Sequence, residues 1–202
     1  MGRKSIADKR RTQIIQAFYR CVVGQGAAGA SIRKIAHEAG VLPSTLHHYF
    51  KGRDEIIEEA VVYFTDLIFE GFAEKINAHY DAGVRLSKGI EFIFSKGMIN
   101  AEYTGFFLEC CVAARHNDRI KDTIASLFAR FRAAIMDHLN GMDGFACLND
   151  RQKQMCASMI VALHEGIELQ WFADSDAVSL EDALDTTRAL IRFFIETPIG
   201  KT

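Results

Sequence analysis

Two groups of residues have the types and spacing for chemistry. The first is the stretch from Ser31 to Arg53, rich in hydroxyl, imidazole and cationic side chains. Hydroxyl, imidazole and cationic side chains bond to phosphate oxygens and to base edges, so this set has the chemistry of a nucleic-acid contact. The second is spread through the later part of the chain: Phe94, Phe106, Phe128, Phe131 and Trp171, with Glu109, His164 and Glu168 among them. A small-molecule cavity needs aromatic walls and a few polar groups. Core packing accounts equally well for most of the fifteen phenylalanines.

Catalytic patterns are missing. His164-Glu165 is not followed by a second His at the spacing of a zinc helix, and no GxSxG, Walker A or GxGxxG run occurs. His47 and His48 are adjacent, about 100° apart on a helix, and do not readily chelate one ion. Cys110 and Cys111 read as buried, inert thiols rather than a redox pair. No catalytic residue, metal or cofactor is therefore expected. The rival readings are a helical enzyme with an unrecognised site in the later helices and a structural helical adaptor.

Charge separates the two groups. Residues 1–55 hold ten Lys/Arg and four acids, whereas residues 56–202 hold fourteen and twenty-two. A basic segment joined to an acidic one points to a polyanion met by the first part only. The N-terminus MGRKSIADKRR lacks the apolar stretch of a secretory signal, and no apolar run approaches the roughly 18 residues of a membrane span. Five cysteines without CxxC spacing fit reduced thiols. Together these give an expectation of a cytoplasmic protein with no membrane partner.

The elements that must carry these residues are helices. Ile14, Phe18, Cys21 and Val22 mark one face of a helix over about 8–24, ended by Gly24, Gly26 and Gly29. Ser31 caps a second, with Ile32, Ile35, Ala36 and Ala39 inward, and Gly40 suits its C′ position. Pro43 suits the first turn of a third helix, which ends near Tyr49. A long fourth helix follows Gly52 to about His79. Five more follow: one carrying Leu86 to Met98 and ending near Gly97, one over 102–115, one from Ile120 to Leu139, one from Met155 to Trp171, and one from Leu180 to Phe194, before Pro198. The class is all-α, about nine helices: a three-helix N-terminal helix-turn-helix domain, residues 1–53, and a C-terminal helical bundle, residues 54–202. Two short helices joined by a glycine turn place the first across the backbone and the second in the major groove.

At SIRKIAHEAGVLPSTLHHYFKGRDEII the chain resembles the TetR family of bacterial repressors. Ile32, Arg33, Ile35, Ala36, Ala39, Gly40, Val41, Leu46, Tyr49, Phe50 and Glu55 match the family pattern in register, over about residues 10–57. The His-Tyr-Phe ending is similar to the BetI-like branch. Leu42, Ser44 and His47 depart from the pattern, at the usual capping Ser, Gly and Tyr, and put the operator sequence in doubt.

The resemblance implies a cytoplasmic, ligand-responsive homodimeric repressor that binds double-stranded operator DNA and is released by a small-molecule effector. It implies phosphate contacts from Ser31, Arg33, Lys51 and Arg53, base readout by Ser44, Thr45 and His48, and backbone bracing by His47 and Tyr49. Arg3, Lys4, Lys9, Arg10 and Arg11 form an arm able to add phosphate contacts. The effector site is expected among Phe94, Phe106, Glu109, Phe128, Phe131, His164, Glu168 and Trp171. An aromatic cage with a carboxylate suits a cationic ligand, while an apolar or amphiphilic effector is the broader expectation. The last two helices, with long apolar stripes, are expected to pair across a two-fold axis.

Overall fold

The computed structural model describes residues 5–140, 145 and 148–196. Arg3, Lys4, Cys147 and Pro198 lie outside that set. The described residues form nine helices and no strand: α1 (Ile6–Gly29), α2 (Ile32–Glu38), α3 (Pro43–Tyr49), α4 (Arg53–Ile76), α5 (Ala82–Ile93), α6 (Ala101–Ala114), α7 (Asp118–Leu139), α8 (Asp150–Ala173) and α9 (Leu180–Glu196). The all-α class expected from helical spacing is the class observed.

Helices α1 and α5 differ from expectation at their ends, each for a local reason. First, α1 begins at Ile6 because Ser5 and Asp8 form a capping box: the Ser5 hydroxyl accepts from the Asp8 N–H at 3.0 Å, and the Asp8 carboxylate accepts from the Ser5 N–H at 3.1 Å. Lys9, Arg10 and Arg11, expected in an arm, therefore sit on a helix. Gly24 does not end it. The chain stays helical to Gly26, whose φ of 70° and ψ of 169° break the helix in a region open essentially to glycine alone. Second, α5 stops at Ile93 rather than near Gly97. The Ser95 hydroxyl donates to the Phe92 carbonyl at 2.7 Å, and the N–H groups of Met98 and Ile99 both turn back to the Ser95 carbonyl at 2.9 Å. A hydroxyl that bonds its own backbone competes with helix continuation.

The chain divides into two compact units, one of residues 1–67 with 105–127 and one of residues 68–104 with 128–202. In the first, α1, α2 and α3 pack on one another around Ile14, Phe18, Ile35, Leu46 and Phe50. The rings of Phe18, Tyr19 and Phe64 meet Phe106 at centroid distances of 5.0–5.8 Å. Each fully buried large apolar side chain contributes about 1.5–3 kcal/mol. In the second unit α9 packs on α8 and α5. Its core joins Ile90, Phe94, Ile99, Leu139, Phe145, Leu148 and Ile160, with Trp171 packed against it. No helix among the described residues is long and apolar enough to cross a membrane.

The two glycines of α1 have opposite roles. Gly24 is helical with open space where a Cβ would go, whereas Gly26 holds a positive φ. Gly24→Ala should raise stability by about 0.5–1 kcal/mol. Gly26→Ala should lower it by about 1–3 kcal/mol. Equilibrium denaturation of both variants checks this, and equal effects would show that Gly26 is not the strained position.

Candidate nucleic-acid interface and ligand cavity

The turn between α2 and α3 is built by hydrogen bonds that need a residue in the left-handed region, which glycine enters most readily. Gly40 has φ +62°. Its N–H donates to the His37 carbonyl at 3.0 Å, and the Val41 N–H reaches back to the Ala36 carbonyl at 2.9 Å. This is a Schellman closure of α2. Ser31 caps the other end, its hydroxyl accepting from the Lys34 N–H. The chain then enters α3 through Leu42 and Pro43.

α3 has one buried side and one open side. Leu46 and Phe50 are buried, while Ser44, His47 and His48 are exposed, and Thr45 and Tyr49 are half-buried. The His48 and Tyr49 rings meet edge to face at 5.1 Å. Arg33 and Lys51 are exposed nearby in sequence.

Two arginines turn inward instead. Arg11 donates to the Tyr49 carbonyl and to Glu59, lies 3.5 Å from Glu55, and stacks over Phe50 at 4.4 Å. The Glu59 bond, against some desolvation, holds its guanidinium above the ordinary pKa range. Glu55 accepts the Lys51 N–H at 2.7 Å, and that bond, with Arg11, holds its carboxyl below the usual value. Arg53 donates to the Ala27 carbonyl at 2.9 Å and faces the Phe18 ring at 5.9 Å, with its Nε buried and unpartnered among the described residues. The N–H of the same residue, Ala27, donates to Glu109 at 3.4 Å.

The second unit contains a cavity of about 80 Å³. A buried water needs about 10–15 Å³ by such a measure, so there is room for several water-sized groups. Its walls are Ile68, Phe69, Phe72, Leu86, Phe92, Met98, Phe131, Ile135 and Ile160, and its polar groups are His138, His164 and Glu165. Phe69 stacks on Phe131 at 5.3 Å, Phe72 meets Phe92 edge-on at 5.8 Å, and the His138 ring tilts on Phe72 at 5.1 Å. Burial pushes the His138 pKa down.

Of the residues expected to form an effector site, Phe131 and His164 line this cavity. Phe94 belongs to the adjoining core, Trp171 packs against that core, and Phe128 is half-buried on α7. Glu168 is buried beside His164 and accepts from the Thr104 hydroxyl at 2.6 Å. Desolvation raises its pKa. Phe106 and Glu109 lie in the first unit. Phe69, Phe72, Phe92, His138 and Glu165 were not singled out from sequence. For Phe69 and Phe72 the signal is an apolar stripe on α4, which reads as core; Phe92 lies on α5, His138 on α7 and Glu165 on α8.

Burial pushes the Cys110 thiol up to about 12, in keeping with an inert thiol.

Comparison with known proteins decides the family. Residues 14–60 match the model of the bacterial regulatory proteins of the tetR family, and residues 83–196 match that of the BetI-type transcriptional repressor, C-terminal. The chain belongs to the TetR family. The regulator BetI of Brucella canis is 29% identical over 121 residues, 60% of this chain and 61% of that protein. The chain thus spans about three fifths of the length of the BetI relatives it matches. PksA of Bacillus subtilis is 44% identical over 54 residues, 27% of this chain and 26% of that protein.

Among solved structures, a protein assigned as a transcriptional regulator from Pseudomonas aeruginosa PAO1 superposes with TM-score 0.84 at 22% identity, covering 96% of this chain and 94% of that one. One from Saccharomonospora viridis, solved in complex with choline, superposes with TM-score 0.74 at 22% identity, covering 96% and 99%. These likenesses speak for the TetR-family fold alone. The matched family models and relatives are regulators of transcription, and the rival reading as a helical enzyme has no support from them.

Leu42 stands where the TetR-family pattern has a capping residue. Its side chain is 69% exposed and makes no cap bond. Leu42→Ser supplies the missing acceptor and removes little buried surface, so stability should rise by about 0.5–2 kcal/mol. Thermal and urea denaturation measure this; a loss of stability would mean that Leu42 has a packing role the cap cannot replace.

Proposed function

We propose that this TetR-family chain is a dimeric transcriptional repressor that reads operator DNA with α3 and leaves it when a small molecule enters the cavity of the second unit. Residues 1–53 are read as the DNA-binding domain and 54–202 as the regulatory and dimerisation domain. The observation that carries the reading is the exposed polar side of α3, held from behind by Leu46 and Phe50 and joined to α2 by the closed Gly40 turn. A short rigid helix with one free polar side fits the major groove. Ser44, Thr45 and His48 are assigned to base edges. His47, Tyr49, Ser31, Arg33 and Lys51 are assigned to the backbone, with Lys9 and Arg10 as added positive charge. Arg53 is assigned to holding the start of α4 near the phosphate path through its bond to Ala27, and Arg11 to holding the end of α3.

Dimerisation through the last two helices is supported by their surfaces. Met155, Met159, Leu169 and Phe172 on α8, and Leu190 and Phe193 on α9, are each 41–66% exposed. The α8 residues recur at helical spacing and form a stripe. Six large apolar side chains in water on adjacent helices are a reason for a partner, and a two-fold dimer gives the paired half-sites that one short helix needs.

In vitro selection from random duplexes should yield a palindromic site bound by two chains, with affinity falling steeply with salt. Tyr49→Ala should weaken binding to all sequences alike. Thr45→Ala should lose about 1–3 kcal/mol of discrimination at one base pair. Gel-shift titration with light scattering of the complex measures both. An unchanged sequence profile for Thr45→Ala would remove its reading role, and one chain per duplex would remove the dimer.

For the effector, the apolar walls support a compact, largely apolar molecule. A quaternary ammonium is a second reading. It is favoured by the four phenylalanine rings beside Glu165 and by the choline found in the Saccharomonospora viridis neighbour. Calorimetric titration with choline and betaine separates the two. Saturable heat that Glu165→Gln removes supports the cation, and no heat leaves the apolar ligand.

A further inference from the structure

Residues 164–168 read His-Glu-Gly-Ile-Glu on α8. Positions i and i+4 share one face of a helix, so His164 and Glu168 project together. The His164 Nε2 lies 3.0 Å from the Ile93 carbonyl oxygen. A carbonyl only accepts, so Nε2 carries a proton, and in the neutral ring Nδ1 carries the lone pair. That Nδ1 lies 3.7 Å from Glu165 Oε1 and 3.7 Å from Glu168 Oε2. All three ligand atoms fall within 4.8 Å of one another. The donor that reaches this group, the Thr104 hydroxyl, is spent on the other oxygen of Glu168.

Three acceptors facing one another repel unless positive charge lies among them. A further proton, on the imidazole or on a carboxyl, is one source. Shared between Nδ1 and a carboxyl oxygen, it would draw the two to about 2.7–2.9 Å, and 3.7 Å is too long for that bond. A metal ion is the other. Nitrogen and oxygen ligands about 2.0–2.2 Å from a tetrahedral zinc-class ion lie about 3.3–3.6 Å from each other. The two 3.7 Å separations are close to this. The outer partners are those such a site uses: a ligand His gives its other N–H to a carbonyl, here Ile93, and a ligand carboxylate is itself hydrogen-bonded, here by Thr104.

We infer that His164, Glu165 and Glu168 bind one divalent transition-metal ion of the zinc class, with a coordination position left open to the cavity that His164 and Glu165 line. Sequence spacing sets the site aside because the second His of a zinc helix is missing, yet Glu168 in that place is also a ligand type. The inference stands on side-chain geometry and does not depend on DNA binding.

The test uses full-length, untagged, chelator-stripped protein titrated with cobalt(II), followed by visible absorption and calorimetry. One equivalent per chain should give the ligand-field bands of a nitrogen–oxygen site, and one equivalent of zinc should displace it. His164→Ala should abolish the bands, Glu168→Gln should weaken binding about tenfold or more, and Thr104→Val about tenfold. Glu165→Gln, at a half-exposed side chain, provides a second ligand variant should His164→Ala lose its helical circular dichroism, and should also weaken binding about tenfold or more. No stoichiometric binding, bands that survive the loss of His164, or an affinity left unchanged by Glu165→Gln would overturn the inference. So would sulfur-to-cobalt charge-transfer absorption, which places the ion on cysteines.

Discussion

A helix of seven residues does not hold its shape in water, because nucleation costs more than one turn of hydrogen bonds returns. α3 has seven residues, no side-chain cap at its start and two histidines in its last turn. Everything that keeps it helical comes from outside it. Leu46 and Phe50 are sunk in the core of the first unit. Arg11, reaching across from α1, bonds the carbonyl of Tyr49 and covers the Phe50 ring. The paired carboxylates Glu55 and Glu59 hold that guanidinium in place. The polar side of α3 is free to meet a ligand because its other side and its C-terminal end are so fully occupied.

The legible part of this architecture was the part with local causes. Ser31, Gly40 and Pro43 announce their positions through capping, positive φ and the fixed φ of proline, and each takes the predicted place. The helical spacing of Ile14, Phe18, Leu46 and Phe50 likewise named the core that positions the candidate interface. What sequence could not resolve was the use of charge at a distance. Arg11 and Arg53 belong to a basic segment and read as phosphate ligands, yet partners 26 to 48 residues away turn both inward. No periodicity reports such a pairing.

The cavity shows the same limit from the apolar side. Phe69, Phe72 and Phe92 lie on stripes that continue into core positions, and nothing local marks which stretch of a stripe faces empty space. Phe94 and Trp171, equally aromatic, fall on filled ground. Which rings surround a void depends on how neighbouring helices are spaced, and that is set by residues far apart in the chain. Gly89 is one contributor, since a Cβ there would lie 3.0 Å from the Phe72 ring.

Ala27 lies next to the Gly26 break, with a cation from α4 on its carbonyl and a carboxylate from α6 on its N–H. Both backbone polar groups of one residue are thus taken by side chains from two other helices. Exchange of that single amide hydrogen with solvent requires Glu109 to let go, while Arg53 holds the carbonyl of the next peptide. One backbone hydrogen therefore serves as a gauge of whether α6 is clasped to α1, readable without labelling the side chain that does the clasping.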